Sequence, residues 1–418
     1  AALDCPTLTP APAQPLVVEL PSSALVAPTD VTLVTQLSVS RLARLDRLLA
    51  AWDGPLSAAI YLVDEADLAI LSAHLSPARL RSPDWQRVSL VVVKPDFSVT
   101  EPALLERLRY PINRLRNLAL ALAPSPYTLV IDVDFVPSPN LHAVLVERGV
   151  PLIERAPDSS LGKRSPTFKP VAVVVPTFAL SSAFDGAYPN STAELEKLYT
   201  ADPPLATLTD ANAGHGPTLP SLLFALSSST TAASPSSHAR PDPSHSYELC
   251  YEPQWEPYYL LSRASHPLYD ERFTDQGGDK QAHALVFNAL GFEFRVVLGQ
   301  AWVVHPPKLN REDEAWPAAR LVQRRGRPEV AAAAGGGALE LGGVAAQEQG
   351  EQDPAVDEEH FNLAAQRDRS RFRYFEDWLP EAERTWGANV RWPRGCGASV
   401  IGGGRSFGRA RAGSVFGL

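Results

Sequence analysis

From Val31 to Ile131 the chain alternates short runs of apolar, β-branched residues with longer amphipathic stretches. The apolar runs predict buried strands, and the amphipathic stretches predict helices that cover them. Strand and helix alternating in this way predict a parallel α/β sheet with right-handed crossovers. The predicted strands are residues 31–35, 58–63, 88–93 and 127–131, and the predicted helices are residues 41–52, 65–74 and 104–121.

The same kind of pattern continues, less regularly, in the second half of the chain. A helix is predicted at residues 279–290, where charged and apolar positions recur at helical spacing. Strands are predicted at residues 171–175, 258–262, 292–298 and 302–304, the last of them ending at His305.

Proline and glycine mark the limits of the predicted domain. The 39 Pro and 26 Gly are concentrated near the N-terminus, around 228–246 and after 310, and these compositions do not favour a packed core. We therefore expect a linker or stem at 1–30, one domain at 31–310 with a low-complexity insertion at 228–246, a disordered acidic and Ala/Gly-rich segment at 311–360, a C-terminal helix at 361–388 and a disordered tail at 389–418.

Charge and cysteine content narrow the class of protein. The formal net charge of the 418 residues is -9, and the only arginine-rich stretch lies near the C-terminus, so we expect no nucleic-acid partner. Cys5, Cys250 and Cys396 are too widely spaced for a disulfide scaffold or a Cys-x-x-Cys metal site, which leaves one bridge open. The sequon at Asn190 suits a secretory-pathway protein.

Membrane segments are not predicted within this sequence. No run approaches the roughly 18 apolar residues of a spanning helix. The chain begins without Met and without a signal peptide, so we expect a fragment or a mature form from which any membrane anchor has been left out.

Two aspartates, Asp132 and Asp134, close the apolar run that ends at Ile131. Ligands of open α/β sheets lie at the carboxyl ends of strands, and a carboxylate pair there suits a divalent cation that also holds a diphosphate. His305 supplies a third ligand if the end of the last strand folds beside the pair. The alternative is that the aspartates cap a turn and that His305 is an ordinary edge histidine.

Arg116 and Asn117 lie on the predicted helix before the aspartate pair. A guanidinium group with a neighbouring amide suits phosphate or ribose, so both residues are predicted to bind a diphosphate-linked donor. The alternative is that both are exposed helix positions.

Transfer from a diphosphate-linked donor to a hydroxyl group also needs a base that deprotonates the attacking hydroxyl. The candidates are Asp279, ranked first, then Asp270, Glu271 and Glu256. The alternative for Asp279 is that its negative charge is favoured at a helix N-terminus. The alternative for Glu256, which lies among aromatic residues, is that it belongs to a packing cluster at a strand edge.

Several blocks of residues 31–308, taken in order, resemble glycosyltransferase family 49. Ordered agreement of many blocks is more specific than any single motif. The blocks include Pro111-Ile-Asn-Arg-Leu-Arg116-Asn117, Pro126-Tyr-Thr-Leu-Val-Ile-Asp132-Val-Asp134-Phe135, Gly214-His215-Gly-Pro-Thr218, Tyr269-Asp-Glu-Arg-Phe273, Lys280-Gln-Ala-His283 and His305.

The resemblance implies a GT-A fold, which is a Rossmann-like mixed sheet flanked by helices in a single catalytic domain. It implies an inverting transfer from a UDP-sugar, with Mn²⁺ or Mg²⁺, to a glycan or glycoprotein acceptor. It also implies a location in the Golgi lumen behind an N-terminal anchor. Carried over to this sequence, the implied metal ligands are Asp132, Asp134 and His305, and the implied donor-binding residues are Arg116, Asn117, Asp132 and His215.

The sequence departs from the family pattern at Gly278-Asp279, where an aromatic residue and Asn are usual. This departure leaves the catalytic base and the sugar open, although the resemblance suggests glucuronic acid. Two alternatives also stay open: a non-catalytic glycan- or nucleotide-binding relative with the same fold, and a metal-dependent phosphohydrolase.

Overall fold

The computed structural model of the chain describes residues 15–154, 169–208, 218–230, 246–275, 277–307 and 371–391. A nine-stranded sheet forms its centre. In spatial order its strands are β1 (Leu16–Leu20), β4 (Val88–Lys94), β3 (Leu56–Tyr61), β2 (Val31–Ser38), β5 (Tyr127–Val130), β11 (Tyr258–Ser262), β7 (Val171–Val175), β12 (Glu293–Val297) and β10 (Ser246–Leu249).

The sheet is mixed. Strands β4, β3, β2 and β5 are parallel to one another, as the sequence predicts. Strand β11 lies antiparallel between β5 and β7, and the edge strands β1 and β10 are antiparallel to their neighbours. All residues of β2, β3, β5 and β7 are buried, which is typical of strands covered on both faces. The predicted fold class, a mixed α/β sheet flanked by helices, is confirmed.

Helices cover both faces of the sheet. The helix predicted at 104–121 is two helices, because proline at 111 disfavours helical backbone in the residue before it and the chain turns at that point. In chain order the helices are α1 (Leu42–Ala51), α2 (Glu65–His74), α3 (Pro77–Leu80), α4 (Pro83–Gln86), α5 (Glu101–Leu108), α6 (Ile112–Leu122), α7 (Leu141–Val144), α8 (Val150–Ile153), α9 (Thr192–Thr200), α10 (Pro220–Thr230), α11 (Asp279–Ala289) and α12 (Leu379–Trp386).

A second, four-stranded sheet lies beyond the carboxyl end of β5. Its strands β6 and β13 are antiparallel, with Val304 opposite Val136. This pairing brings His305 beside the residues that follow the Asp132-Val133-Asp134 loop. In spatial order the strands are β6 (Val136–Pro137), β13 (Val303–His305), β8 (Thr177–Leu180) and β9 (Ala206–Leu208).

Both ends of the described chain pack on the rest of the domain. Strand β1 lies within the predicted stem, yet it pairs antiparallel with the edge strand β4. At the other end a π-helical turn, Tyr374–Trp378, leads into α12. The Asn288 side chain of α11 donates to the Val390 carbonyl at 2.7 Å. Residues 361–370 of the predicted C-terminal helix lie outside the described residues, as do 311–360.

Within the described residues, no helix is both long enough and apolar enough to span a bilayer. Cys250, which follows β10, is disulfide-bonded.

Candidate active site

Asp132 lies two positions after the end of β5 and accepts hydrogen bonds from three side chains. One carboxylate oxygen accepts from Arg116 at 2.9 Å, and the other accepts from the Tyr258 hydroxyl at 2.7 Å and from the Lys280 ammonium at 3.1 Å. Burial alone raises the pKa of Asp132, but Lys280 and Arg116 outweigh it and hold that pKa well below its usual value. The carboxylate is therefore ionised and fixed in direction.

Arg116 is the buried centre of this group. Its side chain is 2% exposed, and α6 directs it under the end of β5. One terminal nitrogen pairs with Asp132 and the other with Asp279 and the Asn113 side-chain oxygen. Burial opposes its charge, yet Asp279 and Asp132 raise its pKa well above the usual value. A buried cation between two carboxylates satisfies the rule that buried charges are paired.

Lys280 links Asp132 to the candidate base Glu256. Its ammonium lies 3.2 Å from the Glu256 carboxylate and 3.1 Å from that of Asp132. Sequence reasoning missed Lys280 as a site residue, and missed the bond from Tyr258 to Asp132. A signal was present, because a lysine at the first turn of a helix opposes the helix dipole and needs carboxylate partners.

Glu256 and Asp279, both predicted as bases, have different surroundings. Glu256 also accepts from the Gln281 amide at 3.0 Å, and burial raises its pKa, although Lys280 acts in the opposite direction. Asp279 pairs with Arg116 through one oxygen and accepts from the Gly277 N–H at 3.3 Å through the other. A general base must be within reach of the proton that it removes. The Glu256 side chain is 22% exposed, against 6% for Asp279, so the geometry favours Glu256.

Asp134 is 17% exposed, against 22% for Asp132, and differs from it in its partners. It pairs with Arg41 at 2.8 Å and with Arg44. These arginines, at the start of α1, are 28% and 25% exposed, against 2% for Arg116. Sequence reasoning did not single them out. Their spacing of three positions, after the strand that pairs with β5, is the signal that could have found them.

His305, the predicted third metal ligand, packs edge-on against Phe135, with 5.3 Å between ring centroids. Its Nδ1 donates to the Pro306 carbonyl at 2.7 Å. Because a carbonyl only accepts, Nδ1 carries the proton, and in the neutral ring Nε2 holds the lone pair. Metal-bound histidines are commonly oriented by such a bond.

A divalent cation fits this part of the site in donor chemistry. Two carboxylates and an imidazole with an acceptor nitrogen are the ligand types that Mn²⁺ takes. Within the described ranges, however, no three His, Cys, Asp or Glu side chains are grouped closely enough to hold a metal ion. Asp134 and Asp132 are instead paired with cationic side chains.

Asn117, predicted to contact the donor, holds a neighbouring loop. Its amide nitrogen donates to the Tyr269 carbonyl and to Glu271, both at 2.9 Å, and its oxygen accepts from the Tyr269 N–H. Both of its N–H groups are used in this way. The donor role of Asn117 stays a prediction, and Glu271, another candidate base, is engaged by it.

Asp270 is not brought into the cluster around Asp132. Its side chain pairs with Arg272 at 2.7 Å and accepts from the Trp378 indole. Burial raises the pKa of Asp270, but the bonds from Arg272 outweigh it and lower that pKa. A lowered pKa makes Asp270 a weak base. His215, predicted in the donor site, lies outside the described residues.

Comparison with known proteins identifies relatives of this chain. It is 33% identical over 287 residues to rat xylosyl- and glucuronyltransferase LARGE2, which covers 67% of this chain and 35% of that protein. It is 32% identical over 284 residues to human LARGE2, covering 67% and 33%. The chain therefore spans about a third of the length of these relatives.

Two solved structures resemble the chain weakly. S. aureus TarS in complex with UDP-GlcNAc matches with a TM-score of 0.34 and 9% identity, covering 69% of this chain and 61% of TarS. GalNAc-T7 with UDP, GalNAc and Mn²⁺ matches with a TM-score of 0.36 and 9% identity, covering 85% and 58%. Similarity at this level supports no conclusion about the chain. The mixed α/β fold is assigned from the strand order.

The family model described as glycosyl-transferase for dystroglycan matches residues 91–327, which is more than half of the 418 residues. The matched range contains Arg116, Asp132, Lys280 and His305. The predicted family is confirmed: the chain belongs to glycosyltransferase family 49.

Proposed function

We propose that this chain is a metal-dependent, inverting glycosyltransferase that moves a sugar from a UDP-sugar to a glycan or glycoprotein acceptor. Glucuronic acid is the proposed sugar, because it is one of two sugars in the names of the relatives. The observation that carries the proposal is the cluster of Arg116, Asp132, Lys280 and Glu256 at the carboxyl end of β5. This is where open α/β sheets bind their ligands.

The proposed donor site is the side of the motif around Asp134, where the partner arginines are more exposed than Arg116. Arg41 and Arg44 there are partly exposed, and their pairs with Asp134 are of the weak, replaceable kind. Guanidinium groups bind phosphate oxygens in a bidentate manner. On donor binding, these arginines leave Asp134 and contact the diphosphate.

Asp132, Asp134 and His305 are the residues that would hold Mn²⁺ or Mg²⁺. When bound, the cation neutralises the charge that develops on the leaving diphosphate. Asp132 is suited to this role because Arg116, Tyr258 and Lys280 keep it ionised and fix its direction.

Glu256 is the proposed base. The acceptor hydroxyl attacks the anomeric carbon, its proton passes to the Glu256 carboxylate, and the bond from that carbon to UDP breaks on the opposite face. Lys280 contributes by holding the Glu256 side chain beside Asp132, which orients the base toward the donor site. Asp279, held by buried Arg116, serves in this scheme as the counter-ion that fixes the arginine.

The proposed setting is the lumen of the Golgi, with the UDP-sugar and the acceptor glycan as partners. The support is the family, together with the disulfide at Cys250, because disulfides persist in secretory compartments. A membrane anchor N-terminal to this chain belongs to the same proposal.

The test is a panel of UDP-sugars with Mn²⁺, measuring UDP release with and without candidate acceptor glycans, followed by mass spectrometry of the acceptor. We expect one donor to give acceptor-dependent UDP release and a product larger by one sugar. UDP release without a modified acceptor would favour a phosphohydrolase. UDP binding without release for any donor would favour a non-catalytic relative.

A further inference from the structure

A cavity of about 290 Å³ lies between the loop at 268–272, α11 and α12. It is close to the lower end of the roughly 300–1,000 Å³ typical of ligand pockets. Leu268, one of its lining residues, is 72% exposed, so the cavity opens to solvent there. Trp386, which is partly exposed, contributes aromatic surface, whereas Trp378 is 5% exposed and stacks on Tyr374. The other lining residues are Asp270, Arg272, Ala282, His283, Val286, Glu381, Ala382 and Thr385.

The polar wall of the cavity is already organised. Arg272 donates to Asp270 at 2.7 Å and lies 2.9 Å from Glu381, and the Trp378 indole bonds to Asp270. Two carboxylates and one guanidinium leave one net negative charge. Such a wall accepts hydrogen bonds from hydroxyl groups and repels an anionic ligand.

Aromatic faces next to fixed hydrogen-bonding groups match the chemistry of a pyranose, which has C–H faces and a hydroxyl rim. Burial lowers the pKa of His283, which therefore adds no positive charge to the cavity at neutral pH. The ligand class indicated is a neutral sugar rather than a glucuronate or a phosphate.

The cavity and the cluster around Asp132 are built on the same helix, α11. Ala282, His283 and Val286 follow Asp279 on α11 by three, four and seven positions and so lie on the same helix face. At about 1.5 Å of rise per residue, the cavity begins roughly one turn from Asp279. The wall at 269–271 is tied to α6, which carries Arg116, through Asn113 and Asn117.

We propose that this cavity binds a neutral sugar of the acceptor glycan and so helps to select the acceptor. The proposal rests on the glycosyltransferase function proposed above. It assigns Trp386 to stacking on the sugar, and the Asp270–Arg272–Glu381 network to its hydroxyls.

The test is saturation-transfer NMR with methyl β-D-glucopyranoside and methyl β-D-glucuronide as probes, with and without UDP and Mn²⁺. We expect the neutral glycoside to bind and the glucuronide to bind less. Trp386→Ala removes a stacking surface, and Thr385→Arg places a long side chain over the mouth from an exposed helix position. Each should weaken binding about tenfold, the scale of one lost aromatic contact.

Phe375→Ala is the matched control, because Phe375 is a half-exposed aromatic residue of the same segment that does not line the cavity. It should bind the glycoside like the unmodified protein. Unchanged melting temperatures show that the variants are folded. No glycoside binding, or equal binding by Trp386→Ala and Phe375→Ala, would overturn the proposal.

Kinetics separate this inference from the proposed function. If the cavity selects the acceptor, Trp386→Ala raises the KM for the acceptor about tenfold and leaves the KM for the donor unchanged. Transfer with an unchanged acceptor KM would reject the sugar site and keep the glycosyltransferase. Glycoside binding lost in Trp386→Ala, in a protein that transfers no sugar, would reject the function and keep the site.

Discussion

The two aspartates of the Asp132-Val133-Asp134 loop are held in different ways. Asp132 contacts a guanidinium that is 2% exposed, together with a tyrosine and a lysine. Asp134 contacts two arginines that are 28% and 25% exposed. Two aspartates one residue apart thus have a rigid set of partners in one case and a replaceable set in the other.

This difference suggests a division of labour. Removing one member of a buried ion network destabilises the protein, because the remaining charge is neither paired nor solvated. Exposed pairs contribute little to stability and can exchange partners at low cost. We infer that the Asp132 side fixes the geometry of the site and that the Asp134 side receives the ligand.

The largest expected effect comes from Glu256→Gln. Removing the proposed base should lower kcat by about 10²–10⁴-fold, the usual contribution of general base catalysis. UDP binding, measured by calorimetry, should be retained. Because the pKa of Glu256 is raised, the carboxyl is protonated at low pH, and kcat/KM of the unmodified enzyme should rise with pH through a value above the usual glutamate range.

Asp279→Asn is the comparison that tests this assignment. It should lower the melting temperature, because Arg116 loses a buried partner, and should keep more activity than Glu256→Gln in the folded fraction. If Asp279→Asn lost more kcat than Glu256→Gln at unchanged stability, Asp279 would be the base.

Arg116→Met is expected to have the next largest effect, on stability. It leaves Asp279 without its buried counter-ion and leaves Asp132 with Lys280, and removing one partner of a buried pair costs about 3–5 kcal/mol. Arg44→Met, which removes a partner of Asp134, should cost at most about 1 kcal/mol. Urea unfolding of both variants measures the difference. Equal losses would contradict the contrast between the two sides.

Sequence alone predicted much of this architecture where the signal is local. Strands β7 and β11 occupy the predicted residues, and helix α2 begins and ends as predicted. The position of Asp132 at a strand end also followed from the apolar run before it. Such features depend on neighbouring residues only.

What sequence did not predict depends on long-range pairing. The antiparallel insertion of β11 beside β5 joins segments about 130 positions apart, as the bond from Tyr258 to Asp132 does, at a separation of 126. Lys280 is 148 positions from Asp132, and Arg41 is 93 from Asp134. No local pattern encodes those partners, so the order of candidate bases changed once the contacts were known.

Asp134→Asn should lower kcat/KM by about 10²–10³-fold, the usual effect of losing one electrostatic group in a transfer site. Stability should change little, because the partners of Asp134 reach solvent. Activity assays and thermal melts of the same preparation check both statements. A strongly destabilised Asp134→Asn protein would mean that this side is part of the scaffold as well.

The smallest expected effect is on acid stability. The pKa of Asp132 is lower in the folded protein than the unfolded value of about 3.9. Its contribution is therefore complete above that value and is lost as the pH falls below it. The free energy of unfolding should fall by up to about 1.4 kcal/mol per pH unit from this group, and Asp132→Asn should lack that share in urea unfolding at pH 3–5.

Calorimetric titration of UDP, with and without Mn²⁺, tests the central claim most directly. The unmodified protein should bind UDP far more tightly when Mn²⁺ is present. The double variant Asp132→Asn/Asp134→Asn should lose this difference, and circular dichroism should show that it is folded. UDP binding that is unaffected by Mn²⁺, or equal in both proteins, would contradict the assignment of these aspartates to the donor site.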